Sequence, residues 1–258
     1  GKLSVQHGAI YHKLIQTHGK EIAKEYYMAQ KEALESISAI IQEHHISCHY
    51  EEKSALLYTQ HKENIAILQK EYEAYQTLGI QAQYVEESAY PFQLAAGIRI
   101  DHQAGYDPYA YLLGLSDYLD ACGIAIYEHS PASLIQKDGN GWHVTVNDHS
   151  IYAQYIVSAT MTPLLDAFSF FFAKTYPSIS HLAMIKAYQE CQGEMLYSID
   201  DPMVSYHGIN KAMMLCGGYA HEAGKGNQHD HDAWLSHVYE TWKCEASEAV
   251  WDTQDLIS

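Results

Sequence analysis

The sequence predicts a mixed α+β and α/β fold, in which an α/β portion is interleaved with an antiparallel sheet. Three observations carry this prediction. Apolar residues recur at helical spacing through much of the N-terminal third. Between Asp107 and Val157 a capped helix, a short apolar run, a glycine-flanked turn and further strand-like pieces follow in order. Beyond Pro163 the pattern changes to short strand-like runs.

Ala9 to Thr17 reads as a short helix, and Gly19 punctuates it before a long amphipathic helix over Lys20 to His45. In the longer helix Ile22, Ala23, Tyr26, Ala33, Ile37, Ile40 and Ile41 share a face, while Lys, Glu and Gln fill the other. Ser47 to Thr59 reads as extended, and Glu63 to Thr77 as a second amphipathic helix stopped by Gly79. Short extended pieces are expected around Ala82 to Val85 and Gly97 to Ile100. Asp107 and Pro108 form the clearest helix start, an N-cap followed by a residue suited to the first helical position. That helix runs from Tyr109 to Cys122 and stops at Gly123. Ile124 to Tyr127, apolar and bounded by turn signals, predicts a buried parallel strand.

A hairpin of Ser133 to Lys137 and Trp142 to Val146 is expected about Asp138-Gly139-Asn140-Gly141, where glycine admits positive φ. A strand over Ile151 to Val157 should complete this unit. Phe168 to Phe172, His181 to Gln189, Glu194 to Ser198 and Met213 to Gly217 then suggest an antiparallel sheet. Gly224 to Asp232 reads as a polar loop and Trp234 to Trp242 as a helix.

Composition narrows the function. The 258 residues carry 15 Lys+Arg against 32 Asp+Glu, a formal charge of -17, so no cationic stripe is available for nucleic acid or for a polybasic membrane contact. Arg99 is the only arginine, which limits bidentate anion clamps to one. Cys48, Cys122, Cys191, Cys216 and Cys244 are widely spaced and form no C-x-x-C pair, as expected of free thiols in a reducing compartment. The most apolar stretch, Ile151 to Ala173, contains Gln154, Pro163 and Asp166, which a membrane span tolerates poorly. A soluble, cytoplasmic protein is the expectation. None of the 16 glycines falls into a G-x-G-x-x-G window.

The run from Gln103 to Thr160 resembles the middle of FAD-dependent oxidoreductases of the D-amino-acid oxidase, glycine oxidase and sarcosine oxidase superfamily. The resemblance is carried by the order of Asp107-Pro108, Ser130-Pro131-Ala132 and Ala159-Thr160-Met161 around a helix, a hairpin and a strand. Lys2 to Tyr11 (KLSVQHGAIY), the stretch GEMLYSIDDPMVSYHG, Met213 to Gly226 (MMLCGGYAHEAGKG) and WDTQD at 251–255 resemble landmarks of the branch that often bears a C-terminal Rieske domain.

The resemblance implies an incomplete FAD-binding α/β domain interleaved with an antiparallel-sheet substrate domain. Residues 1–45 would follow a first FAD unit, 101–165 would be the middle of the FAD domain, and 251–258 would begin the return to it. Residues 46–100 and 166–250 would form the substrate domain. The glycine-rich pyrophosphate turn, the acidic residue after it and the closing C-terminal segment are missing, so the resemblance implies a central fragment that does not hold FAD tightly. It also implies oxidation of a small amine or amino acid by hydride transfer to flavin, with the cofactor carrying the chemistry. The fragment alone is expected to be inactive.

Ser158, Ala159 and Thr160 are small enough to let backbone N–H groups approach a dinucleotide, and Ala132 could border an adenine; an ordinary strand exit explains the triplet equally well. Gln6 and His7 could reach flavin or substrate, or serve only as a helix entry. Arg99 is a candidate partner for a substrate carboxylate, set against the reading of an isolated surface charge. Trp251, Gln254 and Asp255 are further pocket candidates. Where the family pattern has Ser-x-Arg this chain reads Ser205-Tyr206-His207, which leaves carboxylate specificity open. His229-Asp230-His231-Asp232 resembles a metal cluster, but the spacing favours a polar surface loop and no metal site is expected. Two other readings stand beside the flavoenzyme, a non-catalytic binding or interaction module and a metal-dependent enzyme.

Overall fold

The computed structural model of the chain describes residues 1–87, 90–160, 170, 173–175, 177–186, 194–209, 213–226, 228–244 and 249–252. The chain divides into two compact units, Gly1–Leu115 with Ile179–Ser258, and Ser116–Ser178. The described architecture is mixed α+β, as the sequence predicts.

In the first unit β1 (Lys2–Leu3) leads into α1 (Tyr11–Glu43), which joins the two predicted helices across a kink at Gly19. Gly19 takes φ 86° there, a conformation open to glycine and costly for other residues. The α1 N-terminus has no cap from its own flank. Instead Tyr11 N and His12 N each donate to the Glu71 carboxylate at 2.9 Å, from the helix α2 (Ile65–Leu78). Gly79 ends α2 in the left-handed region, as its position in the sequence predicts.

The strands β2 (Glu51–Thr59), β3 (Gln83–Val85), β4 (Ala96–Gly105), β8 (Ser178–Lys186), β9 (Met195–Ser198), β10 (Val204–Gly208), β11 (Met213–Glu222) and β12 (Ala249–Asp252) join β1 in a nine-stranded sheet. Its order is β1-β4-β2-β9-β10-β11-β8-β12, with β3 beside β4. The pairing is mostly antiparallel, but β2 and β9 run parallel. Alternation divides the side chains between two faces. Leu56, Leu196, Tyr206 and Met214 bury against Trp234, Val238 and Trp242 of α4 (Gln228–Trp242). On the other face Leu57, Ile98 and Ile100 bury against Leu68, Tyr75 and Leu78 of α2 and Tyr11 and Ala23 of α1.

Helix α3 (Pro108–Ala121) starts as predicted, with Asp107 Oδ1 accepting from Tyr109 N at 2.9 Å and Ala110 N at 3.1 Å. In the second unit β5 (Ala132–Asp138), β6 (Gly141–Val146) and β7 (His149–Ala153) form a three-stranded antiparallel sheet.

Three expectations require correction. Ile124 to Tyr127 is not a buried strand: it pairs with no described strand, and Ile124 and Ile126 are about half exposed. A parallel strand exists only as one member of a hydrogen-bonded sheet, which an apolar run cannot guarantee. The strand expected over Ile151 to Val157 ends at Ala153, and Tyr155 and Val157 are exposed. His229 to Asp232 lies on α4 rather than in a loop, with Asp230 in its first turn, where a carboxylate suits the helix dipole. The strand β10, not among the expected strands, carries no strong alternation of its own and is held by pairing on both sides. The expected strand at Phe168 to Phe172 lies outside the described residues apart from Phe170, as do the last three residues of His181 to Gln189.

Candidate functional site

Register places Ala55, Met195, His207 and Leu215 directly opposite one another across β2, β9, β10 and β11, so they share a sheet face. This is the α1/α2 face, beyond the part those helices cover, and two cavities open on it. One, of about 200 Å³, is lined by Lys2, Ser4, Gln6, His7, Met195 and Tyr197 among others. The second, of about 250 Å³, is bounded by His49, Lys53, Gly105, Tyr106, His207 and Leu215 among others.

The segment leaving β1 is fixed by side-chain bonds to the backbone. Val5 N donates to Gln103 Oε1 at 2.8 Å, Gln6 Nε2 to Ile98 O at 2.9 Å and Tyr11 Oη to Val5 O at 2.7 Å. These bonds hold Gln6 and His7 against the first cavity. His7 Nδ1 hydrogen-bonds with the Tyr26 hydroxyl at 2.8 Å, and burial lowers the His7 pKa, which keeps the ring neutral at pH 7. The Lys2 ammonium stands 5.0 Å from the Tyr197 ring centroid and donates to Leu196 O over a long 3.4 Å. Burial brings its pKa down to about 8, against a smaller opposing effect of Cys216.

In the second cavity the Lys53 ammonium donates to Gly208 O at 2.9 Å and pairs with Glu51 at 3.0 Å. His207 is 7% exposed, and its Nδ1 has no hydrogen-bond partner among the described residues. Burial first, then Lys53, the amino terminus and Lys2, push its pKa down to about 3. Gly105 is required beside it, since a Cβ there would stand 2.5 Å from His207 Cε1.

The structure brings Gln6 and His7 together and separates Arg99 from them. Arg99 lies opposite Leu56 on β4, so it belongs to the α4 face, where its guanidinium pairs with Glu194. Tyr90 donates to the same carboxylate. Ala132 opens β5 opposite Val146 in the second unit. Ser158, Ala159 and Thr160 are exposed in that unit after β7, with the two hydroxyls 3.1 Å apart. Trp251 is on β12 opposite Met184, and Gln254 and Asp255 lie outside the described residues.

Lys2, Lys53, Tyr197 and His207 were not singled out as site residues by sequence reasoning. The polar alternation Lys2, Ser4, Gln6 was a usable signal for Lys2, whereas the others depend on cross-strand register. Among the described residues no group of three or more His, Cys, Asp or Glu is placed to hold a metal ion. His231 is instead buried on α4 beside the rings of His181 and Trp234. No helix of the described residues is long and apolar enough to cross a membrane.

The large sheet is thus mixed, with helices packed on both faces and two cavities on the part the helices leave open. Residues 5–251 match the model of the DAO family of FAD dependent oxidoreductases, and the chain belongs to that family. It is 30% identical, over its whole length, to the putative Rieske 2Fe-2S iron-sulfur protein YhfW of Bacillus subtilis (strain 168), and spans 52% of that protein. The chain thus covers about half of this curated relative. Its fold is similar to that of glycine oxidase from Geobacillus kaustophilus, with TM-score 0.70 and 12% identity over 98% of this chain and 69% of the other. L-proline dehydrogenase from P. horikoshii gives TM-score 0.65 and 12% identity over 86% of this chain and 64% of the other.

FAD is the cofactor of this family. The open face carries hydrogen-bonding groups suited to the polar edge of a flavin ring: the Lys2 ammonium as donor, Gln6 Oε1 as an unpartnered acceptor, and the unpartnered Nδ1 of His207.

Proposed function

We propose that the chain supplies the central, substrate-facing portion of an FAD-dependent oxidoreductase acting on an amine or an amino acid. The observation that carries this reading is the open sheet face, where Lys2, Gln6, His7 and His207 line two cavities in a chain of this family. Glycine oxidase and L-proline dehydrogenase among the structural relatives support a small nitrogen-bearing substrate.

FAD, when bound, would supply the acceptor for a hydride from the carbon beside the substrate nitrogen, and the imine so formed would be hydrolysed by water. The chain's own residues bind and orient. His7 and Gln6 offer neutral hydrogen-bonding groups on a segment fixed to β4. The residues proposed to border the cofactor are Ala132, Ser158, Ala159 and Thr160, within a cofactor-facing portion at 101–165. The substrate-facing portions are 46–100 and 166–250, with Trp251, Gln254 and Asp255 as further pocket residues. Arg99, turned to the α4 face, is left out of the pocket.

Because no G-x-G-x-x-G turn is present, the chain alone holds FAD weakly and is inactive without more protein around the cofactor. FAD titration followed by fluorescence quenching should give weak, saturable binding and no stoichiometric flavin after purification. A yellow purified protein would refute the weak-binding part. No saturable binding at any FAD concentration would refute the flavin reading and favour a non-catalytic binding module.

A further inference from the structure

Among the asparagines of the described residues, Asn140 stands apart in chemistry and placement. Asn64 precedes the β-branched Ile65, and its amide donates to Asp200 Oδ1 at 2.8 Å. Asn147 precedes Asp148, and its amide donates to His129 O at 3.3 Å. Asn140 precedes Gly141 and lies in the two-residue turn that joins β5 to β6, since Asp138 and Gly141 pair across the hairpin. Of the two central residues only Gly139 has a positive φ, 56°, which is the pattern of a type II′ turn. The Asn140 side chain is exposed and makes no hydrogen bond with another described residue.

We propose that Asn140 is a site of spontaneous covalent modification, at which the Gly141 backbone nitrogen attacks the Asn140 side-chain amide and the residue becomes aspartyl or isoaspartyl. A bond forms between Gly141 N and Asn140 Cγ, the bond from Cγ to Nδ2 breaks, and ammonia leaves with the proton of the Gly141 N–H. Water then opens the cyclic imide. Cleavage at Cγ restores the ordinary peptide bond beside an aspartyl side chain, whereas cleavage at the main-chain carbonyl leaves the chain running through the side chain. Gly141 has no Cβ to block the approach of its nitrogen, and its surroundings keep glycine there, since a Cβ would stand 2.2 Å from the Tyr152 hydroxyl. Asp138-Gly139 offers the same spacing, but its carboxylate must shed water rather than ammonia. That carboxylate is also held by His143 Nε2 at 2.9 Å, while His143 Nδ1 hydrogen-bonds with Ser150 Oγ at 3.0 Å.

Ring closure requires the turn to open. Leu134, Ile151 and Tyr152 of the small sheet are about half exposed, so little buried surface is given up when it does. Either product adds a carboxylate beside Asp138, in a chain already at a formal charge of -17. The isoaspartyl product also lengthens the backbone of a two-residue turn by one atom. The Asp138–Gly141 and Lys137–Trp142 pairs cannot both accommodate that atom, so the register of β5 on β6 is lost near the turn. The attacking species is the deprotonated Gly141 nitrogen, whose population rises about tenfold per pH unit. The reaction therefore accelerates with pH, and it does not depend on the oxidoreductase reading.

The test ages the whole chain at about pH 6, about pH 7 and about pH 8, both folded and in urea. Asn140→Gln is aged beside it, because its longer side chain closes a larger ring far more slowly. Digestion and mass spectrometry follow each asparagine-bearing peptide, and enzymatic methylation counts isoaspartyl carboxylates. The turn peptide is expected to gain about 1 Da, at least about tenfold faster than the peptides bearing Asn64 and Asn147. In the folded chain its rate should stay within about thirtyfold of the rate in urea. Asn140→Gln should remove the isoaspartyl signal, and the aged parent should exchange the amides of β5 and β6 faster than the fresh one. The proposal is overturned if folding slows the reaction more than about thirtyfold, if Asn64 or Asn147 reacts first, or if Asn140→Gln gains isoaspartate as fast as the parent.

Discussion

Side-chain chemistry on the open face makes a pH prediction that concerns stability rather than binding. His207 is buried, is flanked by Lys53 and Lys2, and has its pKa pushed down to about 3. Above about pH 6.5 the ring is neutral in both the folded and unfolded chain, and its protonation contributes no pH dependence. Below that, the unfolded chain takes the proton first and the folded one refuses it until about pH 3, so stability falls with acidification across this window. The slope from this residue approaches one proton, about 1.4 kcal/mol per pH unit. His207→Gln should therefore lose less stability than the parent between about pH 6 and about pH 4.5, measured by urea unfolding at each pH. Parallel stability curves for the two proteins would show that His207 titrates normally. With the His207 ring neutral, Lys2 and Lys53 are the lysines that line the two cavities on that face.

Individual elements show which structural signals are local and which are not. The C-terminus of α2 and the N-terminus of α3 were legible because Gly79 and Asp107-Pro108 act on their own helices. The start of α1 was not legible, because its cap is Glu71, 60 residues downstream of Tyr11, fully buried and also hydrogen-bonded to His12 Nδ1 at 2.6 Å. Glu71→Ala should cost about 2–4 kcal/mol in urea unfolding, since it leaves two helix N–H groups and an imidazole donor unpaired in the core. A loss below about 0.5 kcal/mol would mean that water or a shifted side chain caps the helix instead. Glu71→Gln retains an acceptor and should fall between the two. For the same reason the apolar run Ile124 to Tyr127 misled, since strand formation depends on a neighbour the run does not encode. The α4 start was hidden because His229 to Asp232 looks solvated, although His231 turns into the core beside Trp234. In the candidate site, Gln6 and His7 were visible as a polar pair at a helix entry. Met195 and His207 become neighbours only through the register of β9 and β10.

At the scale of the whole molecule the two units differ in how much they bury. The described core residues all belong to Gly1–Leu115 and Ile179–Ser258, apart from the glycine at 141 in Ser116–Ser178. In the second unit Leu134, Ile151, Tyr152, Tyr155 and Val157 are about half exposed or more. A three-stranded sheet with its apolar side chains in water gains little from burial, so its strands open at low cost. Native-state hydrogen exchange should find the amides of β5, β6 and β7 protected far less than those of β2 and β4, whose side chains are buried on both faces of the large sheet. The same measurement tests the proposed cofactor contacts. If Ala132 and Ser158 to Thr160 border the dinucleotide, near-saturating FAD stabilises the conformation that binds it by mass action and slows exchange in β5 and in the segment after β7. At an FAD concentration ten times the measured Kd the expected stabilisation is about 1.4 kcal/mol, or about tenfold slower exchange. Slowing confined to β2, β4 and β9 would instead place the cofactor contacts of this chain on the large sheet and remove Ala132 and Ser158 to Thr160 from the site.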